Sequence, residues 1–288
     1  MINLRLKTII RLWINCLPGL LAFSPAVNQS FVHAFERIPV AVTVAPQAYF
    51  FERVGGNRVD VRVMIPKGVC PETYEPTPRQ LISLSNARIY VKIGQDIFPA
   101  EKKYLNVLKK DSARIEVIGF SESINRLKDD PHVWLSPSAV KKISRNIYQS
   151  LINIDPAHKD YYEGNLLLFL KDIENMERRI KKALAGKEGK SFMVYHPAWG
   201  YFAAEFGLKQ LAIEKEGKSV IASELRRIVE VAKDNGIDVI FVQKGFDAKS
   251  ARSVAREIKG KIMEVDPLEK NWIRNLDDFA LLLRAVIK

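Results

Sequence analysis

Residues 155–186, with the sequence DPAHKDYYEGNLLLFLKDIENMERRIKKALAG, divide the chain into two halves. The stretch opens with an acidic residue and a proline and closes on a glycine, which are typical start and stop signals of a helix. Apolar residues recur between them at helical spacing: Tyr162, Leu166, Phe169, Ile173, Met176 and Ile180. Such a helix would be about 45 Å long at about 1.5 Å per residue, enough to contact two lobes. We predict a rigid connector; an ordinary long surface helix of one domain is the alternative.

On both sides of this helix, short apolar runs alternate with helical patterns. The predicted strands cover residues 40–45, 59–65, 89–93 and 115–118 in the first half, and 192–195, 210–213, 239–242 and 262–265 in the second. Strands that alternate with helices at this spacing indicate parallel α/β sheets. We therefore predict an α/β fold in which two parallel-sheet α/β lobes, residues 35–154 and 187–288, are joined by one long connecting α-helix, residues 155–186.

The first 34 residues have the composition of a secretory signal. Arg5, Lys7 and Arg11 precede an apolar run over residues 12–23, and small residues at Val32 and Ala34 fit a signal peptidase site. We predict cleavage near Ala34 and an extracytoplasmic or periplasmic location. A membrane anchor is the alternative, but the apolar run is shorter than the roughly 20 residues that a membrane span needs.

Charge and cysteine content narrow the class of protein. The formal net charge is +12, from 45 basic and 33 acidic residues. The basic residues are spread over predicted helical faces without interleaved aromatic residues, so nucleic acid is not an expected partner, and attraction to an anionic membrane surface is the simpler explanation. Cys16 lies in the predicted signal, which would leave Cys70 without an intramolecular disulfide partner.

Four predicted loops each carry a side chain that could bind a metal. Glu72 follows the second strand, His132 precedes a helix, His196 follows the strand at 192–195, and Asp266 follows the strand at 262–265. Ligands gather at the carboxyl ends of parallel strands, so these side chains are expected to converge. Both histidines adjoin prolines, which stiffen the backbone. A buried loop histidine bonded to a carbonyl is the alternative for His132.

Four motifs occur in a fixed order along the chain: PKGVCPETYEPTP at 66–78, DPHVW at 130–134, YHPAWGY at 195–201, and DPL at 266–268. Together they resemble the zinc/manganese class of ABC-transporter solute-binding proteins, over essentially the whole mature chain. The resemblance implies two α/β lobes joined by one long helix. It also implies one transition-metal ion in the cleft between the lobes, delivered to a membrane permease. Carried over motif by motif, its ligands would be Glu72, His132, His196 and Asp266.

The first motif departs from the family pattern. The family has histidine after Asp-Pro, whereas this chain has Glu72 after Cys70 and Pro71. Two imidazoles and two carboxylates suit zinc, manganese or ferrous iron. A carboxylate in place of that histidine weakens the case for zinc. Histidine at position 196, by contrast, resembles the pattern of the zinc members of the family. We favour zinc. A Cys70 thiolate in place of Glu72 would favour zinc or copper. Asp130 and Glu75 are the candidates for orienting the imidazoles.

The sequence therefore predicts a monomeric solute-binding protein, not an enzyme, that captures one divalent transition metal and delivers it to an ABC permease. A secreted zinc metallohydrolase is one alternative, since such ligands also build catalytic sites. The chain has no His-Glu-x-x-His or Gly-x-Ser-x-Gly motif. A binding protein of the same architecture for an organic ligand is a further alternative.

Overall fold

The computed structural model describes residues 37–94, 98–109, 115–121, 124, 127, 130–214, 222–245 and 249–288. The predicted signal peptide, residues 1–34, lies outside this part of the chain. Within the described ranges, no helix combines the length and the apolar character that crossing a membrane requires.

Two four-stranded sheets, both entirely parallel, make up the frame of the described part of the chain. The first half contains β1 (Ile38–Val42), α1 (Ala45–Gly55), β2 (Val59–Val63), α2 (Pro78–Leu84), β3 (Ile89–Lys92), α3 (Pro99–Leu108) and β4 (Glu116–Gly119), with strand order β2-β1-β3-β4. Its central strand β1 is apolar, rich in β-branched residues and mostly buried, as expected of a strand in a parallel sheet that is covered on both faces. The predicted α/β class with two parallel sheets is confirmed.

Two helices follow, α4 (Pro137–Ile154) and α5 (Lys159–Ala183), and lead into the second sheet. The second half contains β5 (Ser191–Val194), α6 (Gly200–Glu205), β6 (Lys209–Ala212), α7 (Ala222–Asp234), β7 (Val239–Gln243), α8 (Lys249–Glu257), β8 (Lys261–Val265) and α9 (Trp272–Val286), with strand order β6-β5-β7-β8. Helix α6 was not predicted, because six residues are too few to show a helical repeat.

The long helix contacts both halves, as predicted. The ring of Phe169 on α5 lies 6.1 Å from that of Phe50 on α1 and 6.5 Å from that of Trp272 on α9. The Phe50 and Trp272 rings are themselves 5.1 Å apart. The two halves therefore share one aromatic core at this helix, and Phe35–Lys288 pack as one compact unit. The predicted lobe boundaries after residues 154 and 186 stay a prediction.

The long helix begins later than predicted. A three-residue 3-10 turn, Pro156–His158, precedes α5, so the α-helix spans 25 residues, or about 38 Å. Asp155 makes no side-chain cap. Its carboxylate instead accepts hydrogen bonds from Tyr162 Oη at 2.6 Å and from the Nδ1 atom of His158 at 2.8 Å. These bonds draw the Asp155 side chain away from the amides that an N-cap would satisfy.

Candidate metal centre

The carboxyl ends of the strands place polar side chains at one edge of the second sheet. His196 lies two residues beyond β5, Glu214 two residues beyond β6, and Asp266 directly after β8, while Gln243 is the last residue of β7. Strands β5 and β7 are neighbours at the point where the strand order reverses, which is where open α/β sheets bind ligands. The first half contributes Glu72, from the loop between β2 and α2.

Three of the four predicted ligands come together. Glu72, His132 and His196 each offer one ligand atom, and these atoms all lie within 4.8 Å of one another. The Nε2 atoms of His132 and His196 are 3.4 Å apart, and Glu72 Oε1 is 3.5 Å from His196 Nε2. Two donors at tetrahedral positions about 2.0–2.1 Å from zinc would be about 3.3 Å apart. The spacing therefore fits one ion of that size.

These side chains border a small cavity between the two halves. It measures about 10 Å³, which is room for about one water-sized particle, and its lining residues are Cys70, Pro71, Glu72, Phe98, His132, His196, Gln243 and Leu268. Both histidines are only 6% exposed. A single ion fits this space, whereas an organic ligand does not.

A carboxylate holds each imidazole in one orientation. The Nδ1 atom of His132 lies 2.8 Å from Asp130 Oδ1, and the Nδ1 atom of His196 lies 3.3 Å from Glu214 Oε2. Because a carboxylate accepts hydrogen bonds, each Nδ1 carries the proton, and the Nε2 atom of each neutral ring presents its lone pair. Two lone pairs that face each other at 3.4 Å are stabilised by a cation between them.

The loop that carries His132 is fixed at several points. The backbone amide of His132 also donates to Asp130 Oδ1, at 2.8 Å. Trp134 Nε1 donates to the carbonyl of Pro267 at 2.8 Å, and Trp272 Nε1 donates to the carbonyl of Trp134 at 2.6 Å, so the loop is tied to the second half. The helix predicted to follow His132 is α4, and Ser136 is its N-cap.

Gly200 makes room for the carboxylate that orients His132. A Cβ atom at Gly200 would clash with Oδ2 of Asp130, whose other oxygen is held by the His132 ring. The sequence nominated Asp130 and Glu75 for orienting the imidazoles, and Asp130 does reach one of them. Glu75 does not, because it forms an ion pair with Lys103 near the surface.

Glu214 was missed by the sequence reasoning. It is buried, and its hydrogen bond to His196 is the counterpart of the bond between Asp130 and His132. A signal was available, since Glu214 follows the predicted strand at 210–213 just as His196 follows the strand at 192–195. Residues that orient ligands can follow strand ends just as the ligands themselves do.

Asp266 is not part of this group of three. Its Oδ1 atom accepts a hydrogen bond from the amide of Leu268 at 2.9 Å. It borders a neighbouring cavity of about 270 Å³, together with Lys67, Gly68, Val69, Gln243, Lys244, Gly245 and Leu268. Burial raises the pKa of Asp266 above its ordinary value. Its role as a ligand stays a prediction.

Cys70 borders the cavity but does not belong to the group either. It is a free, half-buried thiol. Burial raises the pKa of Cys70, so at neutral pH and without a metal the side chain is a thiol rather than the thiolate that binds zinc or copper. This observation favours Glu72 over Cys70 as the donor from this loop.

The four motifs and this geometry agree with the comparisons with known proteins. A model of the family described as "ZnuA: Zinc-uptake complex component A periplasmic" matches residues 40–288. The chain belongs to the ZnuA family. One relative is the high-affinity zinc uptake system protein ZnuA of Bacillus subtilis (strain 168), 27% identical over 253 residues that cover 81% of this chain and 79% of the relative.

Solved structures of this family have the same fold. A crystal structure of ZnuA superposes with a TM-score of 0.83 at 35% identity, covering 88% of this chain and 100% of that one. A ZnuA deletion mutant with zinc bound superposes with a TM-score of 0.82, also at 35% identity, covering 88% and 99% of the two chains.

Membership of the ZnuA family confirms the resemblance drawn from the motifs. The chain is an extracytoplasmic solute-binding protein of a metal-uptake system. The comparisons lend no support to the metallohydrolase alternative.

Proposed function

We propose that the protein binds one zinc ion, in preference to manganese or iron, through His132, His196 and Glu72, and hands it to the membrane permease of an ABC transporter. The resemblance adds Asp266 as a fourth ligand. The mature protein would begin near residue 35 after removal of the signal peptide. It would act as a monomer, without binding nucleic acid.

One observation carries the proposal: two carboxylate-bound imidazoles direct their Nε2 atoms at one point, beside a carboxylate oxygen. Imidazole nitrogen with carboxylate oxygen is a donor set that zinc accepts in tetrahedral geometry. The outer carboxylates increase the basicity of both imidazoles, which strengthens metal binding.

The same contacts argue against catalysis. A metallohydrolase needs an open coordination position for substrate and a base near the metal-bound water. The cavity has room for about one water-sized particle. The two carboxylates nearest the histidines, Asp130 and Glu214, are engaged with the Nδ1 atoms. We therefore propose a binding protein without hydrolytic activity.

Metal analysis tests the proposal directly. Protein lacking residues 1–34, stripped with a chelator and then dialysed against zinc, is expected to retain one zinc per chain. It is expected to show no metal-dependent hydrolysis of ester, amide or phosphate substrates. Retention of no zinc would refute the proposed binding function, and zinc-dependent turnover would establish the hydrolase instead.

Acid is expected to release the metal. Burial lowers the pKa of His196, but the hydrogen bond to Glu214 and the negative charges of Glu72 and Glu214 outweigh burial, so the net direction is upward. Protons compete with the metal for a neutral imidazole, and a raised pKa makes this competition begin at higher pH than the ordinary histidine value of about 6.5.

Zinc affinity should therefore fall steadily when it is measured by chelator competition between about pH 7.5 and pH 5. The competing chelator must be corrected for its own protonation. An affinity that stayed constant across this range, which includes the ordinary pKa of histidine, would argue against imidazole ligands.

A further inference from the structure

One buried polar atom beside the three converging side chains has no hydrogen-bond partner among the residues that the structure describes. This atom is Oε1 of Gln243, a residue that is only 7% exposed. Buried carbonyl oxygens are nearly always paired, and an unpaired one marks a place where a water or an ion belongs. Gln243 borders the same small cavity as Glu72, His132 and His196.

The fold places Gln243 at the position in the sheet where ligands bind. It is the last residue of β7, the strand beside β5, and His196 follows β5 by two residues. Side chains that end these two neighbouring strands lie on the same edge of the sheet, at the reversal of strand order. Gln243 and His196 accordingly border the same small cavity.

The structure also accounts for the separation of Asp266 from the three ligands. Gln243 and Leu268 border both cavities, whereas Asp266 borders only the larger one. One oxygen of Asp266 is held by the amide of Leu268. Gln243 and Leu268 thus form part of the wall that the two cavities share.

We infer that Gln243 supplies the fourth donor to the metal with its amide oxygen, in the position for which the family resemblance names Asp266. This inference rests on the proposed function and refines it. With Glu72 as the one anionic ligand and Gln243 as a neutral one, the bound divalent ion keeps a net positive charge. A carboxylate at position 243 would neutralise that charge and hold the ion more tightly.

Two substitutions at Gln243 test the role. Gln243→Met keeps the length of the side chain and removes the oxygen, so we expect zinc affinity to fall at least about tenfold. Removing a residue that only hydrogen-bonds to a metal ligand already lowers metal affinity by about 10–100-fold. Gln243→Glu keeps an oxygen and adds charge, and we expect it to bind zinc more tightly than the parent. Cobalt(II) serves as a second probe, since its visible absorption spectrum reports the donors and their geometry.

Two further variants, Asp266→Asn and Gln47→Met, serve as a comparison and a control for Gln243→Met. Gln47 is also a fully buried glutamine with an unpaired amide atom, but it does not border the cavity, so Gln47→Met controls for the loss of a buried amide. We expect it to leave zinc affinity and the cobalt spectrum unchanged. Asp266→Asn should reduce affinity less than Gln243→Met does. Thermal melting of the metal-free proteins shows which variants are folded.

The outcomes separate this inference from the function on which it rests. If the parent protein binds neither zinc nor cobalt, the proposed function fails. If the parent binds both but Gln243→Met has parental affinity and an unaltered cobalt spectrum, only the role of Gln243 is refuted. Should Gln243→Met fail to fold, an unaltered affinity and spectrum in Gln243→Glu would refute it equally.

Discussion

Alanine at position 132 or at position 196 is expected to remove tight zinc binding. Each change deletes one of two imidazole nitrogens that lie 3.4 Å apart. Loss of an outer partner alone typically costs about 10–100-fold in metal affinity, so loss of a direct ligand should cost more.

His158→Ala is the matched control for these variants. His158 also pairs its Nδ1 atom with a carboxylate, that of Asp155 at 2.8 Å, but it precedes the long helix and does not border the cavity. We expect this variant to bind zinc like the parent protein. Isothermal titration with zinc, together with circular dichroism to check the fold, measures all three variants.

Unchanged zinc binding in both alanine variants would contradict the proposed site. If His132→Ala and His196→Ala both bind one zinc with parental affinity while remaining folded, neither imidazole is a ligand. If instead both variants and the His158→Ala control lose binding together, the loss reports general destabilisation. His132→Asn and His196→Asn, which retain a polar side chain at each position, would then decide the question.

Changing Glu72 is expected to alter which metal the protein prefers. Its Oε1 atom lies 3.5 Å from His196 Nε2, in the position where the family has histidine. Glu72→His supplies a third imidazole, which suits zinc, and removes an oxygen donor, which suits manganese. The ratio of zinc to manganese affinity should therefore rise. Glu72→Ala should weaken the binding of both metals, because one donor is lost outright.

Glu75 provides the control in the same loop. It lies three residues beyond Glu72 and pairs with Lys103 near the surface, so Glu75→His and Glu75→Ala should leave the preference unchanged. Cys70→Ser distinguishes the remaining alternative. If Cys70→Ser lowers zinc affinity while Glu72→Ala does not, the thiolate and not the carboxylate is the donor from this loop.

Most of the fold could be predicted from the pattern of apolar residues. The eight strands lie within a few residues of their predicted positions, as for β7, predicted at 239–242 and found at Val239–Gln243. Strand and helix periods report which faces of each element are buried, and that information is local in sequence. The motifs identified Glu72, His132 and His196 as candidate ligands. Their convergence could be predicted because the carboxyl ends of parallel strands lie at one edge of a sheet.

The sequence by itself thus determined the α/β class, the long helix and three residues of the candidate site. Only the tertiary structure decided which side chains converge. The start of α5 changed because Asp155 binds Tyr162 and His158 instead of capping the helix. Likewise Glu214 and not Glu75 supports an imidazole, and Gln243 rather than Asp266 borders the small cavity. Periodicity and motif order place a residue at a sheet edge, but strand order and side-chain packing across the two halves set its direction and its partners.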